Sequence, residues 1–125
     1  MGYPVVHFEI NSGSPEELQR FYAEAFGWSI DANNADAYGD VKTEGVCPGS
    51  GFPGIDGGIG RSDNGDDFVT FYVQVPDLDD ALARAEACGG VTVVPPMQAG
   101  NVVLAMLRDP RGNRIGLVRA APVDA

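Results

Sequence analysis

The chain has 125 residues, a formal net charge of −10 and a pI near 4.2. A strongly acidic surface repels phosphate backbones and anionic lipids, so neither nucleic acid nor a membrane is predicted as a partner. No basic or apolar leader precedes residue 5 and there are only two cysteines, which predicts a reduced, cytoplasmic protein.

The first half of the chain shows one predicted strand, one helix and three further strands. Residues 5–11 alternate between an apolar face and a polar face that carries His7, Glu9 and Asn11. Ser14 is predicted to cap the helix, with Glu17 completing a capping box and Gly27 ending it. Strands are predicted over residues 28–33, 37–43 and 54–61, with a Gly/Pro-rich loop at 45–53 that contains Cys47 and a linker at 62–67.

The second half repeats this plan 63 residues later. Residues 68–75 form a predicted strand with Thr70, Tyr72 and Gln74 on its polar face and Val69, Phe71 and Val73 on the face predicted to cover the helix. Asp77 is predicted to cap a helix that runs to about Cys88, which is predicted to be buried. Strands over residues 91–94, 102–108 and 114–119 follow, with a loop at 95–101 and a turn at 109–113.

A repeat of half the chain predicts two copies of one β-α-β-β-β unit. The predicted fold is a single α+β domain, residues 1–125, with module one at about 5–61 and module two at about 68–119. We expect eight strands in an open, barrel-like sheet around a cleft, with both helices outside. The polar faces of the two first strands are predicted to line that cleft.

Three segments, in this order and in register with the repeat, resemble the vicinal oxygen chelate superfamily of glyoxalase I, bleomycin-resistance proteins and extradiol dioxygenases. The resemblance covers residues 5–119 and implies a small organic ligand and a homodimer. The segments are Phe21-Tyr22 followed by Phe26-Gly27-Trp28, then Val75-Pro76-Asp77, then Asp109-Pro110-Arg111-Gly112-Asn113.

In metal-dependent members, the resemblance implies one ligand from the first strand and one from the last strand of each module. His7 suits a divalent ion, but the repeat places Thr70 at the matching position of module two. The two last-strand positions fall on Gly116 and on Gly58, or on Asp56 if the register slips. We therefore predict no cofactor, with His7 and Asp56 as residual metal candidates.

Three functional hypotheses follow from these residues. The first is a small organic ligand bound without a metal, in contact with His7, Glu9, Asn11, Thr70, Tyr72 and Gln74. The second is a lyase, isomerase or dioxygenase that uses Ni, Co, Fe, Mn or Zn held by His7, an acid near Asp56 and solvent. The third is a metal-free enzyme with His7 and Glu9 as an acid–base pair. A purely structural role for His7 beside Glu9 remains open, and the glycines at 57–60 favour a bulge or a close backbone approach over a phosphate loop.

Overall fold

The computed structural model describes residues 2–43, 49 and 51–120. Contacts divide the chain into two compact units, which we call the first unit, residues 7–69, and the second unit, residues 1–6 with 70–125. The described part of the chain contains eight strands and two helices in the order β-α-β-β-β, β-α-β-β-β, so the predicted α+β class is confirmed. Neither helix in the described ranges is long and apolar enough to cross a membrane.

The first module consists of β1 (Val5–Ser12), α1 (Pro15–Phe26), β2 (Ser29–Asp31), β3 (Gly39–Lys42) and β4 (Gly57–Arg61). Its strands are ordered β2-β3-β4-β1, with β3 antiparallel to both neighbours and β1 parallel to β4. Alternate residues of these strands point to one face and build the core with α1. The core residues are Ile10, Val41 and Ile59, with Phe8, Leu18, Tyr22, Trp28 and Ile30 packed against them.

Helix α1 begins and ends where the sequence predicts, but its first turn is held differently. Gly27 ends the helix with φ of 72°, a conformation that glycine adopts without steric cost. Ser14 is the N-cap residue, yet within the described part of the chain its side chain makes no capping bond. The predicted capping box with Glu17 is therefore wrong. The Ser14 backbone N–H instead donates to the Ser12 hydroxyl at 3.0 Å.

The second module consists of β5 (Phe68–Val75), α2 (Leu78–Ala87), β6 (Val91–Ala99), β7 (Val102–Arg108) and β8 (Arg114–Arg119). Its strands are ordered β5-β8-β7-β6, and β5 is parallel to β8, as β1 is to β4. The Asp77 side chain accepts the Asp80 N–H at 2.9 Å, which confirms the predicted cap of α2. The core residues are Val75, Leu78, Leu82, Ala105, Leu107 and Leu117.

Three local predictions in the second module are wrong. Strand β6 continues through the expected loop to Ala99, because two register shifts against β7 accommodate the stretch that contains Pro95 and Pro96. Cys88 is exposed, because it is the C-cap of α2 rather than part of its buried face. Val69 and Phe71 are also exposed, since the core under α2 involves only the later part of β5.

In the first module β2 and β3 are shorter than predicted, because residues 33–38 form a turn-rich connection between them. Cys47, to which the sequence assigns no role, lies outside the described residues.

Candidate functional site

The polar face of the first unit brings three predicted site residues together and adds a fourth. Asn11 donates from Nδ2 to Glu9 Oε1 at 2.9 Å, and the Tyr38 hydroxyl donates to Glu9 Oε2 at 2.9 Å. The same hydroxyl oxygen lies 3.0 Å from His7 Nε2. The result is one hydrogen-bonded chain, His7–Tyr38–Glu9–Asn11, which we call the polar chain. His7 and Glu9 are thus connected through a phenol.

The polar chain fixes where its protons lie. A carboxylate only accepts hydrogen bonds and a phenol has one O–H, which Tyr38 donates to Glu9. The contact between His7 and Tyr38 must then be an Nε2–H that donates to the phenol oxygen. In a neutral imidazole this assignment makes Nδ1 the acceptor nitrogen.

A cleft of about 560 Å³ opens beside His7 on this unit. One ion pair joins its walls, since Lys42 Nζ lies 3.4 Å from Asp56 Oδ2. The Thr43 N–H also donates to Asp56 Oδ1 at 3.1 Å, and this backbone bond is the main reason that the pKa of Asp56 lies below its ordinary value. The lining consists of His7, Ser29, Asp31, Asp40, Val41, Lys42, Asp56 and Gly57.

Burial lowers the pKa of His7, because the charged imidazolium loses more hydration than the neutral ring. The carboxylates of Glu9, Asp40 and Asp56 act in the opposite direction, and the Lys42 ammonium acts together with burial. The net direction is downward, so His7 presents a neutral imidazole to the cleft near pH 7.

A tyrosine covers the glycine beside Glu9 in the first unit. Glu9 is the register partner of Gly58 across β1 and β4. A side-chain carbon at position 58 would overlap the Tyr38 hydroxyl and ring, and one at Gly60 would come within 2.7 Å of the same ring. The two glycines therefore make the room in which the phenol lies.

The second unit has the same arrangement with a different tyrosine. Tyr72 is the register partner of Gly116 across β5 and β8, so Gly116 is the counterpart of Gly58 in the repeat. A side-chain carbon at position 116 would come within 2.5 Å of the Tyr72 ring, which is only 6% exposed. The buried Thr70 hydroxyl donates to the Arg114 carbonyl at 2.6 Å. Gln74, also on β5, is partly buried.

Sequence reasoning placed His7, Glu9 and Asn11 on one strand face but missed Tyr38. The sequence predicted Tyr38 inside a strand over residues 37–43, where nothing marked it as a site residue, whereas the structure places it just before β3. The usable signal was the pair of glycines at 58 and 60, which indicate that something approaches the β4 backbone closely. The structure shows that the approaching group is the Tyr38 ring.

Comparison with known proteins identifies the family to which this chain belongs. The family model described as a glyoxalase-like domain matches residues 7–118, so the chain belongs to the glyoxalase-like family. No functionally curated protein matches the sequence significantly.

Solved structures agree with this fold at low sequence identity. A glyoxalase/bleomycin resistance protein/dioxygenase superfamily member from Vibrio splendidus 12B01 is 14% identical with a TM-score of 0.63, over 94% of this chain and 99% of that one. A variant methylmalonyl-CoA epimerase from Streptomyces coelicolor, in complex with 2-nitronate-propionyl-CoA, is 16% identical with a TM-score of 0.60, over 100% and 99%. BphC, a halotolerant catechol dioxygenase, is 13% identical with a TM-score of 0.62, and this chain covers 41% of it. At these identities the likeness shows the fold alone.

Among the described residues, the positions that the resemblance implies as metal ligands do not supply a ligand set. Gly58 and Gly116 supply no ligand atom, and tyrosine rings occupy the space that a side chain there would need. The Thr70 hydroxyl is used by a backbone carbonyl, and His7 Nε2 carries a proton toward Tyr38. Within the described ranges, no group of three His, Cys, Asp or Glu side chains is placed to hold an ion.

Proposed function

We propose that this glyoxalase-like protein binds a small organic molecule on the polar face of its first unit and needs no resident metal ion to do so. The observation that carries the proposal is that glycines covered by tyrosine rings stand at Gly58 and Gly116, where the resemblance implies metal ligands, while a cleft opens beside His7. The lining of this cleft is mainly polar, with His7, Ser29, Lys42 and three aspartates, so hydrogen bonds and charge would orient a small ligand there.

The charges of the cleft favour a neutral or cationic ligand. Three carboxylates line it, those of Asp31, Asp40 and Asp56, against the single ammonium of Lys42. His7 adds no charge near pH 7, because burial lowers its pKa. A carboxylate ligand would meet net repulsion here, whereas an amine or a hydrogen-bond donor would be attracted.

The metal part of the proposal is tested by elemental analysis. The protein is purified without chelators, and its metal content is measured before and after incubation with excess Ni²⁺, Co²⁺, Fe²⁺, Mn²⁺ or Zn²⁺ and desalting. We expect less than stoichiometric metal in every sample. One tightly held ion per chain that is lost in His7→Ala would overturn the proposal, because an imidazole is a good ligand for each of these ions.

The ligand part is tested with two probes of matched shape and opposite charge, benzylamine and benzoate. Backbone amide shifts are followed by NMR as each is titrated into the protein. We expect benzylamine to shift amides around Asp31, Asp40 and Lys42, and benzoate to shift them less at the same concentration. Asp40→Asn should weaken the benzylamine response, whereas Asp79→Asn, on the exposed first turn of α2, serves as a charge-matched control. Stronger binding of benzoate at these positions would contradict the proposed charge preference.

A second candidate function is a metal-free acid–base enzyme, which the polar chain specifically favours. A neutral imidazole joined through a phenol to a carboxylate is a plausible proton-transfer unit, since each member lies within hydrogen-bond reach of the next. On a substrate that is turned over, the pH–rate profile should show an apparent pKa that disappears in Glu9→Gln. A profile that is unchanged in this variant would argue against the acid–base role.

A further inference from the structure

We infer that Tyr38 is the positioning residue of this site: a connection built around Asn34 delivers its hydroxyl to a place made by two glycines, where it fixes the orientation of His7 and Glu9. This inference rests on the proposed function, because it concerns the face to which we assign the ligand. It goes further by naming the group that organises this face.

One asparagine holds the backbone of Tyr38 on both sides. The Asn34 side chain accepts the Tyr38 N–H at 3.0 Å through Oδ1 and donates to the Tyr38 carbonyl at 2.7 Å through Nδ2. The same Oδ1 also accepts the Asp36 N–H at 3.2 Å. An asparagine that bonds its own neighbouring backbone is a standard way to fix a turn. Here it sets the position from which the phenol reaches β1.

The residue before Tyr38 has a costly backbone conformation. Ala37 has φ of 53°, and it is the one non-glycine residue with positive φ in the described part of the chain. A residue with a Cβ adopts this region at an energetic cost, so it persists only where its surroundings determine it. The Gln19 side chain of α1 supplies part of that constraint, because its Nε2 donates to the Ala37 carbonyl at 3.3 Å and to the Ile59 carbonyl at 3.0 Å.

The place that receives the phenol is also specific. The ring lies over Gly58 and Gly60 of β4, where any side chain would collide with it. The Tyr38 hydroxyl therefore lies 3.0 Å from His7 Nε2 and 2.9 Å from Glu9 Oε2. Three elements contribute to this placement: helix α1, the connection at residues 33–38 and strand β4. A ring that served only to fill space would not need its oxygen in contact with both polar side chains.

The test uses the fact that His7 is the only histidine of the chain. Protein without a histidine tag is labelled with ¹⁵N in the imidazole, so its spectrum contains one ring. At a fixed neutral pH we expect a resolved Nε2–H signal with a nuclear Overhauser contact to the Tyr38 hydroxyl or ring protons. In Tyr38→Phe the ring stays but the acceptor is lost, and the Nε2 proton should exchange with water roughly tenfold faster or disappear from the spectrum.

Two further variants separate positioning from packing. Tyr22→Phe removes a phenol from the aromatic cluster of the same unit and should leave the His7 signal unchanged. Asn34→Ala leaves Tyr38 intact but releases its backbone, so it should accelerate exchange of the Nε2 proton in the same direction as Tyr38→Phe. An Nε2–H signal that is unchanged in both Tyr38→Phe and Asn34→Ala would overturn the inference.

The outcome does not depend on folding of the variants or on the proposed function. If Tyr38→Phe did not fold, the contact between the Nε2 proton and Tyr38 in the wild-type protein would decide, and its absence would refute the inference. If the wild-type protein bound a metal ion, or bound neither benzylamine nor benzoate, the proposed function would fail while the His7 spectrum still reported on Tyr38.

Discussion

The replacement of Gly58 by alanine tests directly whether the Tyr38 ring occupies the space over Gly58. The added carbon would overlap the Tyr38 phenol, so the ring must leave its place over β4. Tyr38 then loses its contact with His7 and its bond to the Glu9 carboxylate. One neutral and one charge-assisted hydrogen bond together contribute about 3 kcal/mol to stability. The smaller backbone entropy of alanine in the unfolded chain returns about 1 kcal/mol.

We therefore expect Gly58→Ala to lower the free energy of unfolding by about 2 kcal/mol. For a chain of 125 residues this corresponds to a fall in Tm of roughly 8 °C. Urea and thermal unfolding followed by circular dichroism measure both quantities. Gly2→Ala is the matched control, because an added carbon there meets nothing within 4 Å, and it should change stability by less than about 0.5 kcal/mol.

A double-mutant cycle tests whether the Tyr38 ring causes the loss of stability in Gly58→Ala. In a Tyr38→Ala background the collision is absent, so Gly58→Ala should cost at least about 1 kcal/mol less than it does in the wild-type protein. Two results would refute the claim that this ring occupies the space over Gly58. One is a Gly58→Ala protein as stable as the wild type, and the other is an equal loss in the free energy of unfolding with and without the Tyr38 ring.

Three other predictions concern charges and caps. Glu9→Gln should lower the pKa of His7 and Lys42→Ala should raise it, because the carboxylate stabilises the imidazolium and the ammonium opposes it. NMR titration of the single histidine measures both pKa changes. A change in the opposite direction in either variant would contradict the prediction. Since the folded state lowers the pKa of His7, the unfolded chain takes up its proton first, so stability should fall as the pH drops below 6.5 and level off below the folded-state pKa. Urea midpoints across this range should show that step in the wild-type protein and lack it in His7→Gln. Asp77→Ala should cost about 1 kcal/mol through loss of the α2 cap to the Asp80 N–H, and an unchanged urea midpoint would contradict this.

The fold was predictable because its signals are local and repeated. Alternation of apolar and polar residues predicted β5, and the apolar segments on either side of the 109–113 turn predicted β7 and β8, all three with the bounds that the structure has. The turn at residues 109–113 was equally readable, since Asp109 uses its carboxylate to accept the N–H groups of Arg111 and Asn113 at 2.9 Å. Strand β6 was cut short in the prediction because two prolines are a strong local stop signal, whereas pairing with β7 carries the strand past them.

The site was only half predictable, for a physical reason. His7, Glu9 and Asn11 share a face by the period of a strand, which the sequence alone reveals. Tyr38 reaches them from a connection whose conformation depends on hydrogen bonds from Asn34 and Gln19. Those contacts join residues that no simple periodicity relates. The expected homodimer and cytoplasmic location stay predictions.

In both units a tyrosine ring covers a glycine on the strand next to the first strand of the module, but the ring comes from a different place in each. In the second unit the residue across the ladder from Gly116 is Tyr72, and its own ring covers the glycine. In the first unit the equivalent residue across from Gly58 is Glu9, which does not cover the glycine, and the ring comes from Tyr38 on another segment. A phenol in both places indicates that a glycine is needed at each position for packing. A carboxylate introduced at Gly58 or Gly116 should therefore collide with the ring and destabilise the fold.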